Sequence, residues 1–316
     1  MKLHIDGIVP IIPTPFDETE AIAWADLDRL IDFAIEARAC AVCLPAYASE
    51  FYKLSEQERL EVVRRAVLRA AGRIPVIAQV NYPSSRLAIE AAARAIEAGA
   101  SAIASAAPRM FALADQDIIR YFSAILESID VSFMLQDFNP GGPSLSVSAL
   151  AELNAKYPHF CYVKLEEPRL ASKVEAIREA TGGRLGVLEG WGGMYTLELV
   201  AAGIAGVVPG LGLTDLLHRV FHLAKSGRGR EAQPIFEAVL PQIVFSLQNL
   251  ELFHHAEKLL LRDRGVLSNT TVRSAALRLT QHDLDYISFL NDRIVRVAGQ
   301  QGLPVLSTGT VAGAGL

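Results

Sequence analysis

The chain has 316 residues, 51% of them hydrophobic and 21% charged, with 30 basic against 35 acidic side chains and a formal net charge of −5. That composition supplies a sizeable apolar core and excludes a mostly disordered chain. No run of either sign forms a footprint for nucleic acid or an anionic membrane surface, and no apolar stretch reaches the roughly 18 residues of a membrane-spanning helix.

In chain order, short apolar runs alternate with longer amphipathic segments. Residues 7–13 (GIVPIIP) predict a strand and residues 24–37 a helix. Residues 41–45 predict a strand, and residues 55–71 a helix opened by Ser55 with Glu58 three positions on, the pattern of a capping box. Strands at 74–80, 101–106, 131–136, 160–165, 185–189 and 204–208 are each followed by a helix, at 84–98, 115–128, 146–156, 170–180, 194–202 and 214–226. A Pro/Gly turn is expected at 139–143. After residue 227 the strand signal ends, and helical patterns cover 228–249, 252–264, 271–279 and 283–297. The last residues, LSTGTVAGAGL, are small and aperiodic and predict a loose tail.

Strand runs that are apolar throughout, each followed by a helix, point to a parallel sheet covered on both faces. Eight such units in about 220 residues fit a (β/α)8 barrel better than an open doubly wound sheet. No GxGxxG follows the first strand, which argues against a dinucleotide site. The expected organisation is a catalytic barrel over residues 1–226, a helical extension over 227–300 and a flexible tail over 301–316.

The N-terminus reaches an acidic residue within six positions and lacks an apolar segment with a small-residue cleavage site, so it does not read as a secretion signal. Cys40, Cys43 and Cys161 are too few for a disulfide framework. The Cys40-x-x-Cys43 pair lacks the second pair of a zinc site, and the three read as buried small hydrophobes in a reducing cytoplasm. His218 and His222 are four apart on one helix with no HExxH glutamate between them, so no metal is expected. No GxSxG surrounds a serine.

Barrels of this kind place their chemistry at the C-terminal ends of the strands. There, Lys164 is embedded in the sixth apolar run, Phe160-Cys161-Tyr162-Val163-Lys164-Leu165-Glu166. Burying an ammonium group is costly, and a lysine so placed tends to lose its proton and become a nucleophile toward carbonyls. Strand alternation puts Glu166 on the same face, two residues on, as an acid/base partner. The competing reading is a salt bridge that closes the barrel mouth.

At this point the chain resembles the dihydrodipicolinate synthase / N-acetylneuraminate lyase family over roughly residues 7–273. The resemblance rests on motifs in order: Thr14-Pro15-Phe16; Ala48-Ser49-Glu50-Phe51-Tyr52-Lys53-Leu54-Ser55 with Glu58-Arg59; Pro108; Lys164; Gly190; Gly203-x-x-Gly206; and Lys258 with Gly265 in the helical part. It implies a Schiff base on Lys164 with a small-molecule 2-keto acid, no cofactor, and a homo-oligomer, tetramer or dimer.

Three departures bear on the reaction. Where the family usually has a tyrosine ending strand five, this chain has Gln136, in Met134-Leu135-Gln136-Asp137-Phe138-Asn139-Pro140. A carboxamide has no proton that titrates near neutrality and cannot relay one. A second tyrosine usual after Pro108 is replaced within Arg109-Met110-Phe111. The Thr-Thr that binds the pyruvoyl carboxylate appears as Tyr47-Ala48, with Ser49 in place of a glycine. The N–H groups of Ala48 and Ser49 and the Ser49 hydroxyl remain available as carboxylate donors.

A retained lysine without the phenol relay leaves either a member that has lost activity or a reaction that needs the imine alone. Dehydration of a 2-keto-3-deoxy sugar acid is such a reaction, and the Lys-x-Glu with Gln-Asp combination resembles the family's branch of such dehydratases, 2-keto-3-deoxy-L-arabonate among their substrates. A pyruvate-dependent aldolase or condensing enzyme and a non-catalytic keto-acid-binding barrel are the alternatives. Further substrate contacts are expected from Gly190, Trp191 and Val208 at the ends of strands seven and eight. Arg109 is expected to meet a second carboxylate, unless it is a surface arginine. Tyr47 is expected to face the site or a neighbouring subunit, and Trp191 to wall the pocket or pack the rim. Pro209-Gly210-Leu211-Gly212 lies where barrels often bind phosphate.

Overall fold

The strand and helix runs of the sequence become a (β/α)8 barrel in a computed structural model, which describes residues 3–110, 112–139 and 144–303. The strands among the described residues are β1 (Gly7–Ile8), β2 (Val42–Leu44), β3 (Val76–Gln79), β4 (Ala102–Ala106), β5 (Ser132–Phe138), β6 (Phe160–Glu166), β7 (Gly186–Glu189) and β8 (Gly206–Val207). They pair in parallel in the order β1-β8-β7-β6-β5-β4-β3-β2. Ile11 bridges Cys43, with Cys43 N–H donating to Pro10 O at 3.1 Å and Ile12 N–H to Cys43 O at 3.0 Å, and so closes the sheet between its two end strands. The first strand is shorter than residues 7–13 because Pro10 and Pro13 carry no N–H for a ladder.

Helices α1 (Trp24–Glu36), α2 (Glu56–Ala70), α3 (Ser85–Glu97), α4 (Asp115–Leu126), α5 (Val147–Lys156), α6 (Leu170–Thr181), α7 (Thr196–Ala202) and α8 (Thr214–Lys225) surround the strands. The capping box at α2 forms as its sequence requires: Glu58 N–H donates to Ser55 Oγ and Ser55 N–H to Glu58 Oε2. Alternation along β6 divides the side chains between two layers. Val163 and Leu165 pack outward with Val174 and Ile177 of α6, while Tyr162 and Lys164 point into the barrel with Met134 and Leu188 near Tyr162.

Beyond the barrel lie α9 (Gly229–Ser246), α10 (Leu250–Asp263) and α11 (Gln281–Gln300). The extension is joined to the barrel by buried charge. Lys258 Nζ lies 2.5 Å from Glu50 Oε1, with both side chains 1% exposed, and Arg264 reaches Asp215 at 2.5 and 2.8 Å. The helix expected over residues 271–279 does not form. Thr271 bridges the backbone of Phe16 instead, and the Arg273 guanidinium reaches Glu58 at 2.9 and 3.0 Å and the Glu20 carbonyl at 2.7 Å. These tertiary bonds outweigh the weak helix preference of a Thr271-Val272 start. Of the expected tail, Gln301 to Leu303 are described, and the rest lies outside the described residues, as do Phe111 and residues 140–143 of the expected turn.

Candidate active site

Lys164 and Glu166 stand at the C-terminal end of β6, as alternation requires, with Lys164 Nζ 3.0 Å from Glu166 Oε1 and Lys164 6% exposed. Beside them opens a cleft of about 580 Å³. Both readings of the lysine are therefore physically present: an ion pair, and space for a small molecule against it. Gly190, just past β7, makes room for the pair. A Cβ there would lie 2.4 Å from Glu166 Cγ and 2.8 Å from Lys164 Cε, closer than carbon atoms pack.

On the neighbouring strand Gln136 is in register with Lys164. Its Nε2 donates to Glu166 Oε1 at 2.6 Å, so Oε1 accepts from both the lysine and the carboxamide. Tyr47 closes one side of the cleft, its ring edge-on to Phe51 at 5.0 Å and to Phe138 at 6.4 Å. Burial, and then the nearby charge of Glu166, push its phenol above the ordinary value. Ala48, Trp191 and Val208 also line the cleft, with Gly190 and Gln136.

Two expected substrate contacts are corrected. The Ser49 hydroxyl donates to Ile12 O at 2.6 Å and accepts from Ala46 N–H at 3.0 Å, while the Ser49 N–H donates to Ala46 O at 2.9 Å. Ser49 is fully buried and does not line the cleft, so it offers no donor to a carboxylate. Arg109 forks onto the fully buried Asp137 at 2.7 and 3.0 Å and lies outside the cleft wall, so its charge is already answered within the protein. The loop after β8 likewise meets a carboxylate of the protein itself. Glu257, from α10, accepts the Gly212 N–H at 2.7 Å, and burial pushes its carboxyl up to about 7.

The sequence did not point to several residues that shape the site. Leu247 to Leu250 and Phe253, from the connection into α10, form a wall of the cleft contributed by the helical extension. Asn249 caps α10, its Oδ1 accepting from Glu251 N–H at 2.8 Å, and an Asn before an apolar-periodic run is the one signal that marked this turn. Glu189, fully buried at the end of β7, accepts the Trp191 and Gly193 N–H groups at 3.1 and 2.7 Å and so fixes the glycine loop, with burial pushing its carboxyl up to about 7. Among the described residues, no group of three or more His, Cys, Asp or Glu side chains is placed to hold a metal ion, and no helix is long and apolar enough to cross a membrane.

The profile of the dihydrodipicolinate synthetase family matches residues 4–288. The L-2-keto-3-deoxyarabonate dehydratase of Azospirillum brasilense is 28% identical over 274 residues, covering 84% of this chain and 87% of that protein. The 4-hydroxy-tetrahydrodipicolinate synthase of Methanopyrus kandleri is 27% identical over 245 residues, covering 76% and 81%. Among solved structures, dihydrodipicolinate synthase from Rhodopseudomonas palustris superposes with a TM-score of 0.86 at 26% identity, over 93% of this chain and 99% of that one.

Proposed function

The chain belongs to the dihydrodipicolinate synthetase family of class I lyases, and from that membership we propose that it dehydrates a 2-keto-3-deoxy sugar acid through a Schiff base on Lys164. The observation that carries this reading is Gln136. The carboxamide stands where the family resemblance expects a proton-relaying phenol, and it donates to the Glu166 carboxylate at 2.6 Å. The site thus has a nucleophile and a base in contact, without the relay that carbon–carbon bond cleavage uses. The long match to a keto-deoxyarabonate dehydratase supports the same direction.

In this reading Lys164 Nζ attacks the C2 ketone and water leaves to give an iminium. The iminium acidifies C3, and Glu166 removes a C3 proton to form the enamine. The C4 hydroxyl departs as a second water, taking a proton from Glu166 or from a bound water, and leaves a conjugated iminium. Addition of water at C2 frees the lysine and the dehydrated acid. Ala48 N–H, Tyr47, Gly190, Trp191 and Val208 surround the substrate. No cofactor takes part, and the working form is a cytoplasmic homo-oligomer.

Borohydride trapping followed by mass spectrometry is the test. Pyruvate or a keto-deoxy acid with reductant is expected to add its mass at Lys164, and Lys164→Ala is expected to add none. An unmodified wild-type lysine would overturn the enzyme reading in favour of a binding barrel. Turnover of pyruvate with aldehyde acceptors, with no dehydration of 2-keto-3-deoxy pentonates or hexonates, would replace the dehydratase with an aldolase.

A further inference from the structure

Three carboxamides lead away from Glu166 into the barrel wall, and their orientation is dictated from the far end. The backbone N–H of Ala106, on β4, donates to Asn81 at 2.8 Å. A backbone N–H can only donate, so the Asn81 atom facing it is Oδ1. That same oxygen receives Gln79 Nε2 at 3.1 Å, which fixes the Gln79 amide as well. On its other side the Gln79 Oε1 accepts the Cys43 thiol at 3.5 Å. Burial pushes this thiol up to about 12, so it keeps its proton and acts as donor. Gln79 therefore turns Nε2 toward Gln136, whose Oε1 accepts it at 2.5 Å, and Gln136 is left with N–H pointing at Glu166. Gln79, Asn81 and Gln136 are all buried, so each of these partners weighs heavily in setting the amide orientations.

We propose that Gln79 is a positioning residue for the reaction. Through Gln136 it keeps a donor, never a carbonyl, against Glu166 Oε1. Glu166 Oε1 is then held by Gln136 and Lys164 together, and Oε2 is the oxygen that takes the C3 proton. Gln79 does not line the cleft and does not touch the reacting atoms. With its amide reversed or removed, Gln136 is free to flip, and its carbonyl would face the carboxylate and push it off line. The assignment rests on the reading of Glu166 as the C3 base.

The test uses pyruvate as the probe, because exchange of its methyl protons with D2O requires the imine and C3 deprotonation but no true substrate. Trapping by borohydride reads the imine alone. Gln79→Met, of similar size but unable to donate, is expected to trap pyruvate with wild-type concentration dependence. It should exchange the methyl protons about tenfold more slowly, the effect of one misdirected hydrogen bond to a charged group. Asn81→Leu removes the anchor and leaves both glutamines in place. It is the second variant should Gln79→Met fail to fold, and it is expected to slow exchange with trapping intact. Wild-type exchange in either folded variant would overturn the assignment, as would a loss of trapping and exchange in equal measure, which a structural role would give. Failure of wild-type protein to trap pyruvate would overturn the underlying Schiff-base reading and this assignment with it.

Discussion

Gly190 has no side chain, and that absence leaves room for the two groups proposed to carry the chemistry. Because a Cβ at this position would overlap both Glu166 Cγ and Lys164 Cε, Gly190→Ala is expected to displace the pair. Misplacement of reacting groups by about 1 Å costs on the order of 10²-fold, so borohydride trapping of pyruvate should slow by about that factor in this variant. A wild-type trapping rate would show that the pair has more room than its packing implies. Glu166→Gln is expected to keep the adduct and to slow dehydration by about 10²-fold or more, the usual scale of a general base. Unchanged turnover would remove Glu166 from the mechanism. Lys164 was legible because its neighbours in sequence are apolar and alternation fixes its face. Ser49 and Arg109 were misread for the complementary reason. Whether a donor is free depends on its partner, and here the partners are Ile12, 37 residues away, and Asp137, 28 residues away.

Among the elements, α10 changes meaning between sequence and structure. Its periodicity announces a helix and nothing about where that helix lies. In the fold it carries Lys258 to Glu50 and Glu257 to the Gly212 N–H, and its N-terminal turn walls the cleft. The helical extension is therefore a component of the barrel mouth. Lys258→Met leaves Glu50 buried with its main cationic partner gone. Removing one member of a buried pair typically costs about 3–5 kcal/mol, and because Glu50 keeps Lys53 at 3.2 Å, a loss near the lower end is expected in urea unfolding. Adding Glu50→Gln should recover part of it; a double variant no more stable than the single would contradict the pairing. The capping box of α2 was readable to the residue because its bonds span three positions. The 271–279 segment was not, because Arg273 is held by Glu58 and Glu20 from other parts of the chain.

Across the whole molecule, buried titratable groups pull the pH dependence of stability in opposite directions. Glu257 and Glu189 are raised by burial from 4.5 to about 7, so the folded chain holds their protons more tightly than the unfolded chain does. Their contribution is complete below about 4.5 and is lost as pH rises through about 7. His254 and His218 are lowered, chiefly by burial, from 6.5 to about 3 and about 4. Their contribution is complete above about 6.5 and is lost as pH falls through those values. The variants separate the two terms in calorimetric melting. As pH falls from 7 to 4.5, Glu257→Gln is expected to lose stability relative to wild type. Across the fall from 6.5 toward 3, His254→Gln is expected to gain. Parallel curves for wild type and either variant would show that the replaced group does not titrate as its burial requires.

The linear order of residues determined the strand–helix rhythm, the closed parallel barrel it implies and the inward face that carries Lys164 and Glu166. Those features follow from periodicity and from neighbours a few positions apart, which every segment carries with it into the fold. Only the tertiary structure decided which polar groups remain free to meet a ligand, which way the Gln136 amide points and that the α9–α10 connection completes the cleft. Each of these is set by a partner distant in sequence, and in a buried site a hydrogen-bonding group already matched inside the protein has little left to offer a substrate.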